Sequence, residues 1–254
     1  MRFPKRQHRE FKSVVRRFRN EFSLFVLEQS RGQVLCGPMK GFRFVENAFW
    51  GGHSDTATKI FGLYEQQNLK VLSSSDKPVL VDIGAADGFW GVGLVAAGQF
   101  EKSVCFEVSA KGRDVIRETA EHNGVGDRVT VFGDALTDTV ENIASVAPDP
   151  ADIFFLIDIE GVEFRLLTED FLTHFRRSEF LIELHPQMVE DGDAKLKAIE
   201  AFCAGYFDIA YVDGSVRDTS EMDEIIRLGD DFKWPILSEG RGFPMQWLHL
   251  VPRG

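Results

Sequence analysis

Cysteine is scarce. The three present, Cys36, Cys105 and Cys203, are odd in number and far apart. They supply neither a disulfide framework nor the paired spacing of a zinc site. Cys105 sits in the apolar stretch SVCFEV and reads as a small core residue. A reducing, cytoplasmic compartment is the expectation. Long apolar runs are also missing, which excludes a transmembrane helix. The first residues show no apolar stretch or cleavage site of a secretory signal, although they are Arg-rich like a mitochondrial presequence. Positive charge is in deficit: the net charge is -11, which speaks against a nucleic-acid-binding surface over the main body. Internal repeats and low-complexity segments are absent.

What is present is an ordinary globular composition, 44% apolar and 27% charged over 254 residues, enough for one sizeable core. The charge is uneven. Residues 1–20 hold eight Lys or Arg against Glu10, a surplus of seven, so the rest of the chain carries -18. Phe11, Val14, Val15, Phe18, Phe22, Phe25 and Val26 recur at helical spacing with Lys12, Arg16, Arg17 and Arg19 between them. This predicts a basic amphipathic helix. Its simpler reading is a stripe that covers the core; the alternative is peripheral contact with an anionic membrane or a partner. Residues 32–53, rich in Gly and aromatics, predict a hairpin or ordered loop. Residues 1–53 are thus expected to form an extension ahead of a main domain at 54–254. Ser54 or Asp55 is placed to cap a helix carrying Ala57, Ile60, Phe61 and Tyr64.

From residue 79 the pattern alternates. Short β-rich runs lie at 79–83, 103–108, 128–132, 153–158 and 179–184, with helix-like segments between most of them. Ser109 suits the start of one helix and Gly124 its end. Alternation of this kind predicts an α/β fold with a parallel sheet covered on both faces. The runs at 206–214 and 245–251 lack a clear crossover helix and should pair antiparallel at the far side.

Polar residues collect at the carboxyl ends of these strands, where open parallel sheets bind ligands. The first strand enters Asp82, Gly84, Ala85, Ala86, Asp87 and Gly88. Glycines there permit a tight turn and close approach of backbone amides to a ligand. The second strand ends in Glu107, placed to accept ribose hydroxyls. Asp134 follows the third, placed to accept from an adenine amino group. The fourth ends in the acid-rich DIEGVE, residues 158–163, and the fifth in Glu183 and His185. A nicotinamide Rossmann motif needs glycine where Ala86 stands.

The spacing D-x-G-x-A-x-G instead resembles motif I of class I S-adenosylmethionine-dependent methyltransferases. DIEGVE resembles the D-x-E-G-x-E signature of the FkbM-like group, IELHP at 182–186 is similar to that group's fifth strand, and GLYEQQ at 62–67 to its pre-motif segment. The resemblance covers roughly residues 55–186. Leu156 stands where members often carry Lys, and Ala86 where many carry Asn. The resemblance implies a Rossmann-like class I methyltransferase fold: seven strands, mostly parallel, with an antiparallel C-terminal strand. It implies S-adenosylmethionine as cofactor, held by Glu65, Asp82, Gly84, Ala85, Ala86, Asp87, Gly88, Glu107, Val108, Asp134, Ala135 and Asp158.

Methyl transfer from a sulfonium needs alignment and water exclusion, and a hydroxyl acceptor must lose a proton. Asp158 and His185 are the candidate bases, and Glu160 the residue that binds the acceptor or shapes the loop. Glu163 falls in the first turn of a helix, where negative charge also suits the dipole. The fourth strand lacks the Asn/Asp-Pro-Pro-aromatic pattern of many N-methyltransferases, so the expected acceptor is a hydroxyl of a sugar, glycan or natural product. Clustered acids are compatible with a divalent metal, but spacing alone assigns no ligand. A nicotinamide oxidoreductase and a non-catalytic binding protein with this fold remain the alternatives.

Overall fold

The structure is a computed structural model of the full chain; it describes residues 5–48, 52–214, 217–220, 222–239, 241 and 245–253. The expected extension at 1–53 therefore includes residues 1–4 and 49–51, which lie outside the described residues. Helix α1 spans Lys5–Ser30. At ~1.5 Å per residue it runs about 39 Å, further than the surface beneath it. Its second half docks: Arg19, Ser23 and Val26 are buried, and Ser23 Oγ accepts a hydrogen bond from the Ala57 amide at 3.2 Å. Phe11, Val14, Val15, Phe18 and Phe25 stay exposed. The expectation that the whole stripe covers the core is thus corrected: the stripe outruns its partner surface.

The following loop is ordered, with one bridge between Gln33 and Arg43. It buries Val34, Met39, Phe42 and Phe44. The helix expected from residue 56 to Tyr64 is two pieces, α2 (Thr56–Ile60) and α3 (Gln66–Ser74). The break is at Gly62, φ +66, which packs so closely on the Cys36 carbonyl that a Cβ would overlap it. Phe61 and Tyr64 therefore leave the helix face, and Asp55 makes no side-chain cap.

Among the described residues seven strands form one sheet: β1 (Val79–Ile83), β2 (Lys102–Phe106), β3 (Val129–Phe132), β4 (Ile153–Ile157), β5 (Glu179–Glu183), β6 (Phe207–Asp213) and β7 (Gln246–Pro252), in the order β3-β2-β1-β4-β5-β7-β6. The first five are parallel, and β7 runs antiparallel to both β5 and β6. This is the Rossmann-like topology implied by the resemblance. Every residue of β1 and β4 is buried, because both sheet faces are covered. Leu80, Cys105, Phe154, Leu156 and Leu181 point to the face that holds Val26 and the loop; Val79, Val81, Phe106, Phe155 and Phe180 point to the other.

Helices α4 (Phe89–Ala96), α5 (Ala110–His122), α6 (Thr139–Ala144), α7 (Glu163–Leu166), α8 (Glu169–His174) and α9 (Gly192–Cys203) connect the strands. Ser109 caps α5 by accepting from the Gly112 amide at 3.3 Å, and Gly124, φ +70, ends it with the Val125 amide bonded to the Ala120 carbonyl. Helices α10 (Asp223–Ile226) and α11 (Asp230–Ile236) lie between β6 and β7, and α11 sends Phe232 and Trp234 to stack on Phe22 and Phe18. No helix among the described residues is long and apolar enough to cross a membrane.

Deleting residues 1–17 should leave the melting temperature nearly unchanged. Deleting residues 1–30 removes the contacts of Phe22, Ser23 and Val26, at a cost of at least ~3 kcal/mol, and should lower melting by on the order of 10 °C. Circular dichroism melts of the two deletions distinguish these outcomes.

Candidate functional site

The sheet reverses its order between β1 and β4, and the crevice opens there, at the carboxyl ends of the strands. As β1 ends, the amides of Gly84 and Ala85 both donate to the Phe106 carbonyl, at 3.0 Å. Gly84 has φ +91, and a Cβ on it would overlap the backbone carbonyl oxygen of Asp158. The glycine thus lets the exits of β1 and β4 touch, which constrains it whether or not a ligand is present. Ala86 adopts φ +50, and its amide donates to Glu107 Oε2 at 3.0 Å. Gly88, φ +81, starts α4. Below the turn, Asp82 Oδ2 accepts from the Gly91 amide at 2.9 Å. Burial pushes the Asp82 carboxyl up to about 7; the Gly91 bond opposes this, and the charges of Asp158, Asp87 and Glu107 add to it.

Two cavities meet above this turn. The first, about 330 Å³, is mostly apolar and is walled by Gly84, Ala86, Phe106, Glu107, Val108, Asp134, Ala135, Leu136 and Ile159. Glu107 is held at its floor: Oε1 accepts from the Ser109 amide at 2.7 Å while Oε2 takes Ala86. Asp134 turns its Oδ1 onto the Leu136 amide at 2.9 Å. The second cavity, about 440 Å³, is polar and is walled by Lys59, Tyr64, Asp87, Glu183, His185, Glu239 and Arg241. Ala86, Asp158 and Glu160 line both.

The acids of DIEGVE divide into three roles. Asp158 extends the ladder, its amide donating to the Ile83 carbonyl at 3.0 Å. Glu160 and Gly161, φ +52 and +96, turn the chain, and the Glu160 side chain hangs largely in solvent at the cavity mouth. Glu163 is fully buried. Its Oε2 accepts from the Gly161 amide at 2.7 Å and its Oε1 from the His185 amide at 2.8 Å. It therefore ties the exit of β4 to that of β5, and its role is structural.

His185 is almost wholly buried. Its Nδ1 lies 3.3 Å from Glu163 Oε1, while Nε2 faces Glu160 at 3.5 Å, Glu183 at 3.8 Å and Asp158 at 3.9 Å. Burial works against its charge, but Glu163 foremost and then Asp158 and Glu160 outweigh it, so its pKa is raised. Glu183, also buried, is pushed up to about 10, first by burial and then by the charges of Asp158 and Glu65. Arg241 opposes this shift. It donates Nη1 to Glu183 Oε1 at 2.6 Å, Nη2 to Glu65 Oε1, and Nε to Glu239 Oε2 at 2.7 Å. Lys59 is buried between Asp55 at 3.8 Å and Asp87 at 4.0 Å, over the rings of Tyr64 and Phe89.

Of the residues expected from the sequence, Gly84, Ala86, Glu107, Val108, Asp134, Ala135 and Asp158 come together on the apolar cavity. Asp87 and His185 line the polar one. Glu65, Asp82, Ala85 and Gly88 line neither and stand behind the walls; Glu65 opens α3 with φ +44 and is bound by Arg241. Lys59, Tyr64, Glu239 and Arg241 were not expected. Lys59 lies just before GLYEQQ and Tyr64 within it, a signal that was available. Arg241 and Glu239 lie in the irregular stretch between β6 and β7, which carries no periodic pattern.

Gly84→Ala should cost a few kcal/mol in stability, since it adds both a strained φ and an overlap with Asp158; urea unfolding of the ligand-free protein measures it. Asp82 gives a pH test. Its folded pKa, about 7, lies above the unfolded value near ~3.9. The folded state holds the extra proton, so the stability it confers is full below about pH 4 and is lost as pH rises to 7, at up to ~1.4 kcal/mol per unit. Asp82→Asn should flatten the stability profile between pH 4 and 7 relative to the parent.

No protein-family model matches the chain, and no curated protein matches it. Among solved structures it is similar to an O-methyltransferase from Bacillus cereus in complex with SAH: 16% identity, 92% of this chain and 90% of that one, TM-score 0.48. It is also similar to the cofactor-bound Rv0187 from MTB, with 18% identity over 75% and 80% and a TM-score of 0.47. A third is TrmK of M. capricolum in complex with S-adenosyl-homocysteine, with 10% identity over 73% and 67% and a TM-score of 0.46. Each is a likeness of chain trace at low identity.

Proposed function

We propose that the chain is an S-adenosylmethionine-dependent methyltransferase of the FkbM-like kind that methylates a hydroxyl of a small molecule or glycan. The observation that carries this reading is the pair of cavities joined at Asp158. The apolar one, with Glu107 on its floor and Asp134 on its wall, offers a nucleoside a ribose acceptor and an adenine-edge acceptor. The polar one offers room and carboxylates to a hydroxylated acceptor. The reactive methyl group belongs where the two meet.

Bound S-adenosylmethionine would supply the methyl group from its sulfonium: as the acceptor C–O bond formed the C–S bond would break to give adenosylhomocysteine, and the hydroxyl proton would pass to a base of this chain. Asp158 stands at the junction, with His185 Nε2 3.9 Å behind it. Glu160, on the strained turn, closes on the acceptor from the mouth. The segment holding Glu239 and Arg241 forms the acceptor-side wall and contributes to substrate choice, together with the extension at residues 1–53.

Calorimetry with adenosylmethionine, adenosylhomocysteine and NAD tests the cofactor; binding of NAD alone would overturn the reading. Glu107→Ala also strips the Ala86 and Ser109 amides of their acceptor and should lower melting; in the still-folded protein it should weaken adenosylhomocysteine binding by ~1–3 kcal/mol. On an acceptor found by adenosylmethionine consumption across hydroxylated metabolites and glycans, Asp158→Asn should cut turnover by ~10²–10⁴-fold while cofactor affinity changes far less. Full activity in both Asp158→Asn and His185→Ala would remove the catalytic role of this rim.

A further inference from the structure

Three ligand atoms converge at the inner end of the polar cavity. His185, Asp158 and Glu183 each offer one, and these atoms lie within 4.8 Å of one another. A pocket of acids alone would carry little weight, since solvated carboxylates are common. Two further observations point to a ligand. Asp158 Oδ1 is buried with no hydrogen-bond partner. His185, 98% buried as a side chain, holds Nε2 3.5–3.9 Å from the carboxylates of Glu160, Glu183 and Asp158, and its Nδ1 is buried without a hydrogen-bond partner.

Glu163 favours one tautomer of the ring. Glu163, fully buried and fixed by two backbone amides, faces His185 Nδ1 at 3.3 Å. A carboxylate at Nδ1 draws the ring proton to that nitrogen and leaves the Nε2 lone pair facing the cluster. Carboxylate–imidazole–metal arrangements orient their ligands in this way. Arg241 occupies Glu183 Oε1 at 2.6 Å, leaving Oε2 to face the cluster, 3.8 Å from Nε2. Glu160 Oε2, 3.5 Å from Nε2 at the solvent side, is within reach as a further oxygen donor.

We propose that Asp158, Glu183 and His185 form a binding site for a divalent cation of the Mn²⁺ or Mg²⁺ class. Two carboxylate oxygens and one imidazole suit an octahedral, oxygen-preferring ion, whose remaining positions would face the polar cavity. Its place suits an acceptor hydroxyl: a bound alcohol oxygen would lose its proton more readily and be aligned toward Asp158's side of the junction. That role rests on the methyl-transfer reading, whereas the cation site itself does not.

The test uses Mn²⁺ and the full chain, in two measurements. Titration followed by electron paramagnetic resonance of free Mn²⁺ should show one saturable site. Asp158→Asn and His185→Ala, checked for folding by circular dichroism, should each weaken it by at least the ~10–100-fold typical of losing a supporting partner. On the unmodified protein, the electron spin echo of bound Mn²⁺ should carry nitrogen modulation from the His185 imidazole, a readout that needs no variant. Absence of saturable binding at millimolar Mn²⁺ overturns the proposal, as does an echo without nitrogen modulation. Adenosylhomocysteine binding is measured in parallel. Mn²⁺ binding without it would leave the cation site standing and the methyl-transfer reading fallen; the reverse result would do the opposite.

Discussion

A carboxylate taken out of water must be given donors or a proton. This chain withdraws several at one rim of one sheet, and most of the architecture around them answers that need. Asp82 takes a helix amide, Glu107 takes two amides from neighbouring turns, and Glu163 takes two more from the exits of β4 and β5. Glu65 and Glu183 share one guanidinium, Arg241, and Glu65 also accepts from the Asn68 side-chain amide. Asp87 has Lys59. The long-range ion pairs of Arg241 answer the same requirement.

Among the described residues, Asp158 Oδ1 and Asp87 Oδ2 are buried carboxylate oxygens without a hydrogen-bond partner. Asp158, Glu183 and His185 have more acceptor capacity than the surrounding protein supplies. Structural ion pairs elsewhere on the surface, such as Arg177 with Asp149, are exposed and contribute little. The contrast separates carboxylates that brace the fold from those that are held ready for something else.

The sheet was legible in the sequence because burial on both faces forces continuous apolar runs, and these end where the chain turns at Gly84, at Glu107 and at Asp158. The ends of the first four strands therefore named most of the apolar cavity, and the end of the fifth named Glu183 and His185 of the polar one. Glu163 could be read only as ambiguous, since a first-turn acid suits a helix dipole whether or not it also clamps a neighbouring strand. The break at Gly62 was hidden because the apolar spacing continues past it; what stops the helix is a tertiary contact with Cys36. The docking of α1 was half legible, because periodicity shows that a stripe exists and not how long a surface awaits it. Arg241 was not legible at all. Its neighbours carry no period, and its partners lie 58 and 176 residues away.

That last separation has a consequence for assembly. Glu65 is made early and Arg241 late, and the antiparallel β7 that follows Arg241 inserts between β5 and β6. Until then, two carboxylates destined for the interior have no counter-charge and must stay hydrated or protonated. Closing so long a loop is slow relative to local pairing. On the ribosome, the pocket would therefore remain open until the last strand emerges. An incomplete chain would carry the cofactor turn but not a sealed rim, and maturation of the site would coincide with completion of the fold.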